Sequence, residues 1–320
     1  MDLSIVIPVY NEEEIIFELD KRLKNLFKLL DKNFKLNPAN IEVIFVNDGS
    51  SDNSLPILLA IQKNNCSYKV LNFSRNFGHQ IAITAGLEYS KGKAVVIIDA
   101  DLQDPPEFIV QLYEKFLEGY EVVSCIRKTR KGEGIFKIWT AKFFYRIINL
   151  LTNINIPLDT GDYRLMSARV VYILNNMKEK NRFIRGLTSW VGFKQIGIEY
   201  VRNERYAGKT KYPLTKMIKF TIDAITSFST VPLRLVTFLG FFFSMFGFAG
   251  ALLVVYFKLF TNATISGWSS IMLTILIMGG INLITLGVMG EYIGRINEES
   301  KNRPLYIIDQ YYEVKTPKHD

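Results

Sequence analysis

Over the first 125 residues, short β-branched apolar runs alternate with longer stretches of mixed polarity. The runs at 3–9, 41–47, 69–73, 94–98 and 121–125 are bounded by turn residues and predict strands. The intervening stretches 12–36, 53–64, 79–90 and 106–118 predict helices. In the first of them, apolar side chains at 15, 16, 19, 23, 26, 27 and 30 keep a 3.6-residue period. Asp52 and Asp104 stand where helix caps are expected, and Pro106 suits an early helical position. Strands that alternate with helices predict an α/β fold with a mostly parallel sheet covered on both faces. Ligands of such sheets bind beyond the carboxyl ends of the strands.

The pattern changes after Arg234. Residues 235–257 and 259–290 hold no charge, and only Lys258 lies between them. At about 1.5 Å per residue, either stretch can cross a hydrocarbon core of roughly 30 Å, so two membrane helices are expected at 233–257 and 268–290. A buried hairpin of a large soluble domain is the alternative, and helices this long and apolar are rare there. Glycines at 240, 247, 250, 279, 280, 287 and 290 suit close helix packing in lipid. Lys216, Lys219 and Arg234 precede the hairpin and Arg295, Lys301 and Arg303 follow it, which predicts cytoplasmic termini. Residues 1–10 do not read as a signal peptide, with Asp2 and too short an apolar run. The linking turn carries a sequon, Asn262-Ala263-Thr264, too near the membrane for use. Domains are therefore expected at 1–230, 231–292 and 293–320, the last a cytoplasmic tail.

Composition sharpens this division. The formal charge is +8, with 22% charged and 48% apolar residues, which excludes a disordered chain. Such a charge admits nucleic acid, an anionic substrate or an anionic membrane as partner. Residues 127–146 hold seven basic side chains against Glu133, and 202–219 hold six against Glu204. The basic excess sits in these two segments and does not look like a nucleic-acid footprint. Ile135, Phe136, Trp139, Phe143, Ile147 and Leu150 form an apolar stripe beside Lys142 and Arg146, as in an interfacial helix. Amphipathic interface helices are expected near 134–151 and 212–229, with packing against the soluble domain as the alternative. Cys66 and Cys125 set no disulfide framework, and two histidines make a histidine metal site improbable.

Candidate chemistry lies after the predicted strands. Pro8-Val9-Tyr10-Asn11-Glu12, Asn47-Asp48-Gly49-Ser50-Ser51-Asp52 and Asp99-Ala100-Asp101-Leu102-Gln103-Asp104 converge on one sheet edge. Asp99, Asp101 and Gln103 make an oxygen set for Mg²⁺ or Mn²⁺ that leaves positions for phosphate oxygens; a structural turn is the other reading.

These three segments resemble the nucleotide-sugar motifs of family 2 glycosyltransferases of the GT-A, Rossmann-like fold. Ser74-Arg75-Asn76-Phe77-Gly78, Asp159-Thr160-Gly161-Asp162-Tyr163-Arg164-Leu165 and Asn181-Arg182-Phe183-Ile184-Arg185-Gly186 resemble the polyprenyl-phosphate branch. So do Ala207-Gly208-Lys209-Thr210-Lys211-Tyr212, the two-helix region and Gly290-Glu291-Tyr292-Ile293-Gly294-Arg295. The likeness spans essentially the whole chain and is nearest to the bactoprenol glucosyltransferases; dolichol-phosphate mannose synthases share the catalytic half.

The resemblance implies a GT-A domain followed by interfacial helices and a transmembrane hairpin in a bacterial inner membrane, and a homo-oligomer. It implies that Pro8, Tyr10, Asn11 and Glu12 line the base and ribose pocket, although Tyr10 also suits a strand-end core position. Asp48 would reach base or ribose, and Asp99 and Ala100 would face the nucleotide. Asp101, with Gln103 and Asp99, would hold the metal on the donor diphosphate. Arg127 and Arg205, with Lys209 and Lys211, would hold the acceptor phosphate; headgroup attraction is the rival reading for the lysines. An arginine fork clamps phosphate with directed donors, whereas lysine offers a point charge. The implied reaction is inverting transfer of one hexose, UDP-glucose favoured, to a polyprenyl phosphate. Its phosphate, with a second pKa of about 6, is already nucleophilic at neutral pH. Asp162 matches a position often given a base-like role, and orienting sugar or acceptor suits it better. Asp159 suits a cap. A processive polymerase is disfavoured because no Gln-x-x-Arg-Trp motif follows and only one hairpin is present. A non-catalytic nucleotide-sugar scaffold is disfavoured by the intact Asp99, Asp101, Gln103 and Arg127.

Overall fold

The computed structural model describes residues 1–127, 160–180, 182–202, 231–260 and 267–313. The expected interfacial helices near 134–151 and 212–229, the 261–266 link with its sequon, and Asp159, Arg205, Lys209 and Lys211 lie outside them. The chain forms two compact units: a sheet domain that includes the residues from Pro304 onward, and a helical unit that includes Ile218–Arg303.

The sheet domain begins β1 (Leu3–Val9), α1 (Ile16–Phe34), β2 (Ile41–Asn47), α2 (Ser54–Lys63) and β3 (Tyr68–Phe73). It continues α3 (His79–Tyr89), β4 (Ala94–Ile97), a 3-10 turn (Pro106–Phe108) running into α4 (Ile109–Leu117), and β5 (Val122–Arg127). Then come β6 (Thr160–Ser167), α5 (Ala168–Asn176), α6 (Ile184–Val191) and β7 (Gln195–Tyr200). All seven positions of β1 and of β2 are buried, as parallel strands covered on both faces require. The apolar stripe of α1, with Leu19, Leu23, Leu26 and Leu30 fully buried, packs with one face of the sheet. Each such leucine contributes about 1.5–3 kcal/mol of burial. Ala82 and Ala85 of α3 cover Ile44, Val46 and Leu71 on the other face. The first helix starts at Ile16 rather than at residue 12, because the Glu12 and Glu13 N–H groups donate to Ser54 Oγ and Asp52 Oδ2.

The described sheet runs β7-β5-β6-β4-β1-β2-β3-β8, where β8 is Ile308–Glu313. Strands β4, β1, β2 and β3 are parallel; β6 runs against β4 and β5, and β8 runs against β3. The segment expected as a tail from 293 carries regular structure over its described part. The chain stays helical to Ser300 and then returns as an edge strand. Two interactions seat it: Lys69 Nζ reaches Glu313 Oε1 at 2.8 Å, and the Tyr306 ring stacks on Phe73 with centroids 5.2 Å apart.

The helical unit holds α7 (Val231–Phe260) and α8 (Trp268–Ser300). Both are long and apolar enough to cross a membrane: Leu233–Gly250 has a mean hydropathy of 1.6 and Ile277–Ser300 of 1.3, and neither window has a buried residue. A core helix would be buried, whereas here Phe241 is 72% and Leu283 72% exposed. The second helix outruns the expected end at 290 because Arg295 pairs with Glu291 one turn back, at 3.1 Å, and keeps the charged turn helical.

Candidate active site

Strands β1, β2, β4, β5 and β7 end on one edge of the sheet, and antiparallel β6 begins there. Continuing the β4–β6 register two residues past the Ile97–Arg164 pair sets Asp99 opposite Asp162. The first two loops are stapled together: Ser50 Oγ accepts from the Asn11 N–H at 3.0 Å, and the Ser51 N–H donates to Asn11 Oδ1 at 2.8 Å. Asn11, expected in the nucleotide pocket, thus ties the two loops together through its N–H and its side chain. Pro8 is buried in β1, Tyr10 is 42% exposed, and Glu12 is half-buried.

The Asp48 carboxylate accepts from the Phe77 N–H at 2.7 Å, the Gly78 N–H at 3.0 Å and Asn76 Nδ2 at 3.0 Å, and so organises the 76–78 loop. Burial pushes this carboxyl up, against the pull of those donors. Gly49, at φ +64°, allows the approach: a Cβ there would lie 2.4 Å from the Arg75 carbonyl carbon. The loop delivers His79 at the first turn of α3.

His79 Nε2 stands 3.3 Å from Asp162 Oδ2 and 3.5 Å from Asp99 Oδ1. Arg185 clamps Asp162 with two bonds, Nε to Oδ1 at 2.9 Å and Nη2 to Oδ2 at 3.0 Å, and Gln80 Nε2 adds one at 3.2 Å. Burial raises the Asp162 carboxyl, yet Arg185 and His79 outweigh it and hold the group well below the usual range. Burial also opposes charge on His79, but Asp99 and Asp162 bring it up to about 9. Asp99 is pushed up to about 6 by burial and by the acids Asp162, Asp104 and Asp101, with His79 pulling the other way.

A divalent cation fits this edge. Asp99 Oδ1 is buried with no hydrogen-bond partner, and Asp101, 9% exposed, lies two residues on with Oδ1 accepting from the Gln103 N–H at 3.1 Å. Ala100 is buried between the two acids, and Leu102 takes φ +56° to turn the loop. Among the described residues no three His, Cys, Asp or Glu side chains are grouped so as to hold a metal ion.

Asp104, expected as a helix cap, is fully buried and caps nothing: it accepts from the Tyr200 hydroxyl and lies 3.4 Å from Arg202 Nε. Arg127 ends β5 beside it. Sequence reasoning missed His79, Gln80, Arg185 and Tyr200 as site residues. His79 was reachable, since it follows the carboxyl end of β3; the others meet the site only through pairings 23 to 104 residues apart.

The sequence profile described as "Glycosyl transferase family 2" matches residues 4–173. A Bacillus subtilis (strain 168) protein described as "Uncharacterized glycosyltransferase YkcC" is 53% identical over 311 residues, 97% of this chain and 94% of that one. The "Bactoprenol glucosyl transferase" of Shigella phage SfV is 41% identical over 309 residues, 96% of this chain and 98% of its own. Among solved structures, glucosyl-3-phosphoglycerate synthase from Mycobacterium tuberculosis, crystallised with Mn²⁺, UDP-glucose and phosphoglyceric acid, is similar with a TM-score of 0.44. It is 18% identical, over 70% of this chain and 77% of that one.

Proposed function

The chain belongs to glycosyl transferase family 2, and from that premise we propose that it moves one glucose from UDP-glucose onto the phosphate of a polyprenyl phosphate. It is a glycosyltransferase. The proposed setting is the cytoplasmic face of a bacterial inner membrane, anchored by α7 and α8. Supporting the acceptor is the near full-length likeness to a protein named for bactoprenol glucosyl transfer. The observation that carries the reading is Asp99 Oδ1 beside Asp101, buried without a hydrogen bond and with only the His79 ring 3.5 Å away, an edge suited to a cation and the diphosphate it would bind.

Asp101, Gln103 and Asp99 would hold Mg²⁺ or Mn²⁺. Such an ion, when bound, would neutralise charge on the leaving diphosphate. Pro8, Tyr10, Asn11, Glu12, Asp99 and Ala100 would form the nucleotide wall, with Asp48 reaching base or ribose while it holds the adjoining loop. Arg127, with Arg205, Lys209 and Lys211, would bind the acceptor phosphate. A phosphate oxygen forms the new bond to the anomeric carbon while the bond to the diphosphate oxygen breaks on the opposite face. The electron pair leaves with UDP, and configuration inverts. Asp162, held ionised by Arg185 and His79, is a poor proton acceptor at neutral pH, which favours orienting sugar or acceptor over a base.

Full-length protein in detergent, given radiolabelled UDP-glucose, Mn²⁺ and undecaprenyl phosphate, should yield label that extracts into organic solvent. No extractable label from any common UDP- or GDP-sugar would sink the reading. Label in polymer would point to a processive synthase.

A further inference from the structure

Arg127 is the last residue of β5 and Tyr200 the last of β7, and the parallel register sets them directly side by side. The Tyr200 hydroxyl donates to Asp104 Oδ1; burial opposes the charge on the neighbouring Arg127 guanidinium, and the hydroxyl favours it. A phenol can donate and accept at once, so the Tyr200 oxygen, its proton committed to Asp104, keeps lone pairs for the guanidinium beside it. A guanidinium–phenol link would have a charged end, as the phenol–Asp104 link has, and the two would strengthen each other. The phenol ring is wedged between Phe108 and Tyr163, with centroids 5.6 and 5.8 Å away, and Tyr163 Oη donates to the Pro105 carbonyl at 2.9 Å. On its other side the guanidinium lies against Gly161, where a Cβ would stand 2.6 Å from Nη2. Arg127 Nε is buried with no hydrogen-bond partner.

We propose that Tyr200, backed by Asp104, is the positioning residue that aims Arg127 at the acceptor phosphate. A direct Arg127–Asp104 pair would engage the fork with a carboxylate of the protein's own. The intervening phenol instead fixes the guanidinium while keeping donors for a second anion. Asp104 supplies the charge that makes the phenol oxygen a strong acceptor, and the aromatic wedge fixes where that oxygen sits. This rests on Arg127 contacting the acceptor, as proposed above.

The test is a double-mutant cycle on the full-length enzyme in detergent, with undecaprenyl phosphate varied at saturating UDP-glucose and the reverse. Tyr200→Phe keeps the ring and removes the hydroxyl. It should raise the acceptor KM about tenfold, since a misplacement of roughly 1 Å can cost up to a hundredfold, and leave the donor KM within about twofold. In an Arg127→Ala background the same substitution should change neither KM by more than about twofold. UDP-glucose binding in each sample counts the folded enzyme and normalises the rates. An equal Tyr200→Phe effect with and without Arg127, or an equal rise in donor KM, would overturn the positioning role while leaving Arg127 as an acceptor ligand. An unchanged acceptor KM in Arg127→Ala alone would overturn the acceptor assignment itself, and the positioning role with it.

Discussion

The two ends of the same strands carry two buried charge clusters that are built in opposite ways. At the amino ends, Glu42 accepts from Ser4 Oγ, from Lys69 Nζ at 2.8 Å and from the Lys91 N–H at 2.6 Å, and Lys69 also reaches Glu313. Glu42 is 0% exposed, and both of its oxygens have partners. At the carboxyl ends, Asp99 Oδ1 and Asp104 Oδ2 are buried with no hydrogen-bond partner, and burial and the acids around it push Asp99 up to about 6 despite His79 at 3.5 Å. A saturated cluster holds strands together. An unsaturated one is costly as it stands and becomes favourable when a ligand completes it.

That contrast can be broken most sharply with Asp101→Ala. Transfer should fall at least about a hundredfold, equivalent to roughly 3 kcal/mol of transition-state stabilisation, and should stay low at saturating Mn²⁺. Folding stability should move by less than about 1 kcal/mol, because the side chain is seen to accept from the Gln103 N–H. Substantial turnover in that variant at high Mn²⁺ would refute the metal role. Glu42→Ala should do the reverse. It leaves Lys69 buried beside Glu313 alone and should cost about 3–5 kcal/mol in chemical denaturation, with the rate per folded molecule unchanged. A lost rate with intact stability would show that the amino-end cluster also serves the site.

The smallest effect expected is acid loosening of β8. The Lys69 hydrogen bond, against a smaller burial effect, holds the Glu313 carboxyl below its ordinary 4.5. A depressed carboxylate contributes stability that is present above the ordinary value and is lost as pH falls through the depressed one. Hydrogen-exchange protection of the β8 amides, corrected for intrinsic rate, should therefore drop below about pH 4.5 before that of β1. Simultaneous loss in both strands would place β8 in the same cooperative unit.

Local pattern was enough for the inner strands. The β1 and β2 ranges agree with the sequence expectation residue for residue, because seven-residue apolar runs between turn residues have few other solutions. Where partners are remote, the pattern misled. Asp104 has the spacing of a cap, and its partner Tyr200 lies 96 residues away. Residues 308–313 carry Gln310, Tyr311 and Tyr312 after two apolar helices and read as a tail. Their pairing with β3 is written in the edge of another strand, not in their own periodicity. Of the candidate site, the acidic loop after β4 was legible from its placement at a strand end. The roles given to it came from family likeness, and the ion pairs that set its electrostatics, His79 and Arg185 with Asp162, appear only once β6 lies beside β4.

Strand β8 bears on the order in which the protein is made. Lys69 and Glu313 meet across 244 residues, and everything between them, α7 and α8 included, must be synthesised before the sheet's last strand exists. Chains are synthesised from the amino end at about 5–20 residues per second, so β3 waits about ten seconds or more for β8 to be made, with an unpaired edge. During that interval Lys69 has Glu42 as partner but not Glu313, and a charged lysine on a bare edge is a feature that discourages pairing with other chains. Completion of the catalytic sheet thereby becomes a late event, timed after the apolar helices have been made.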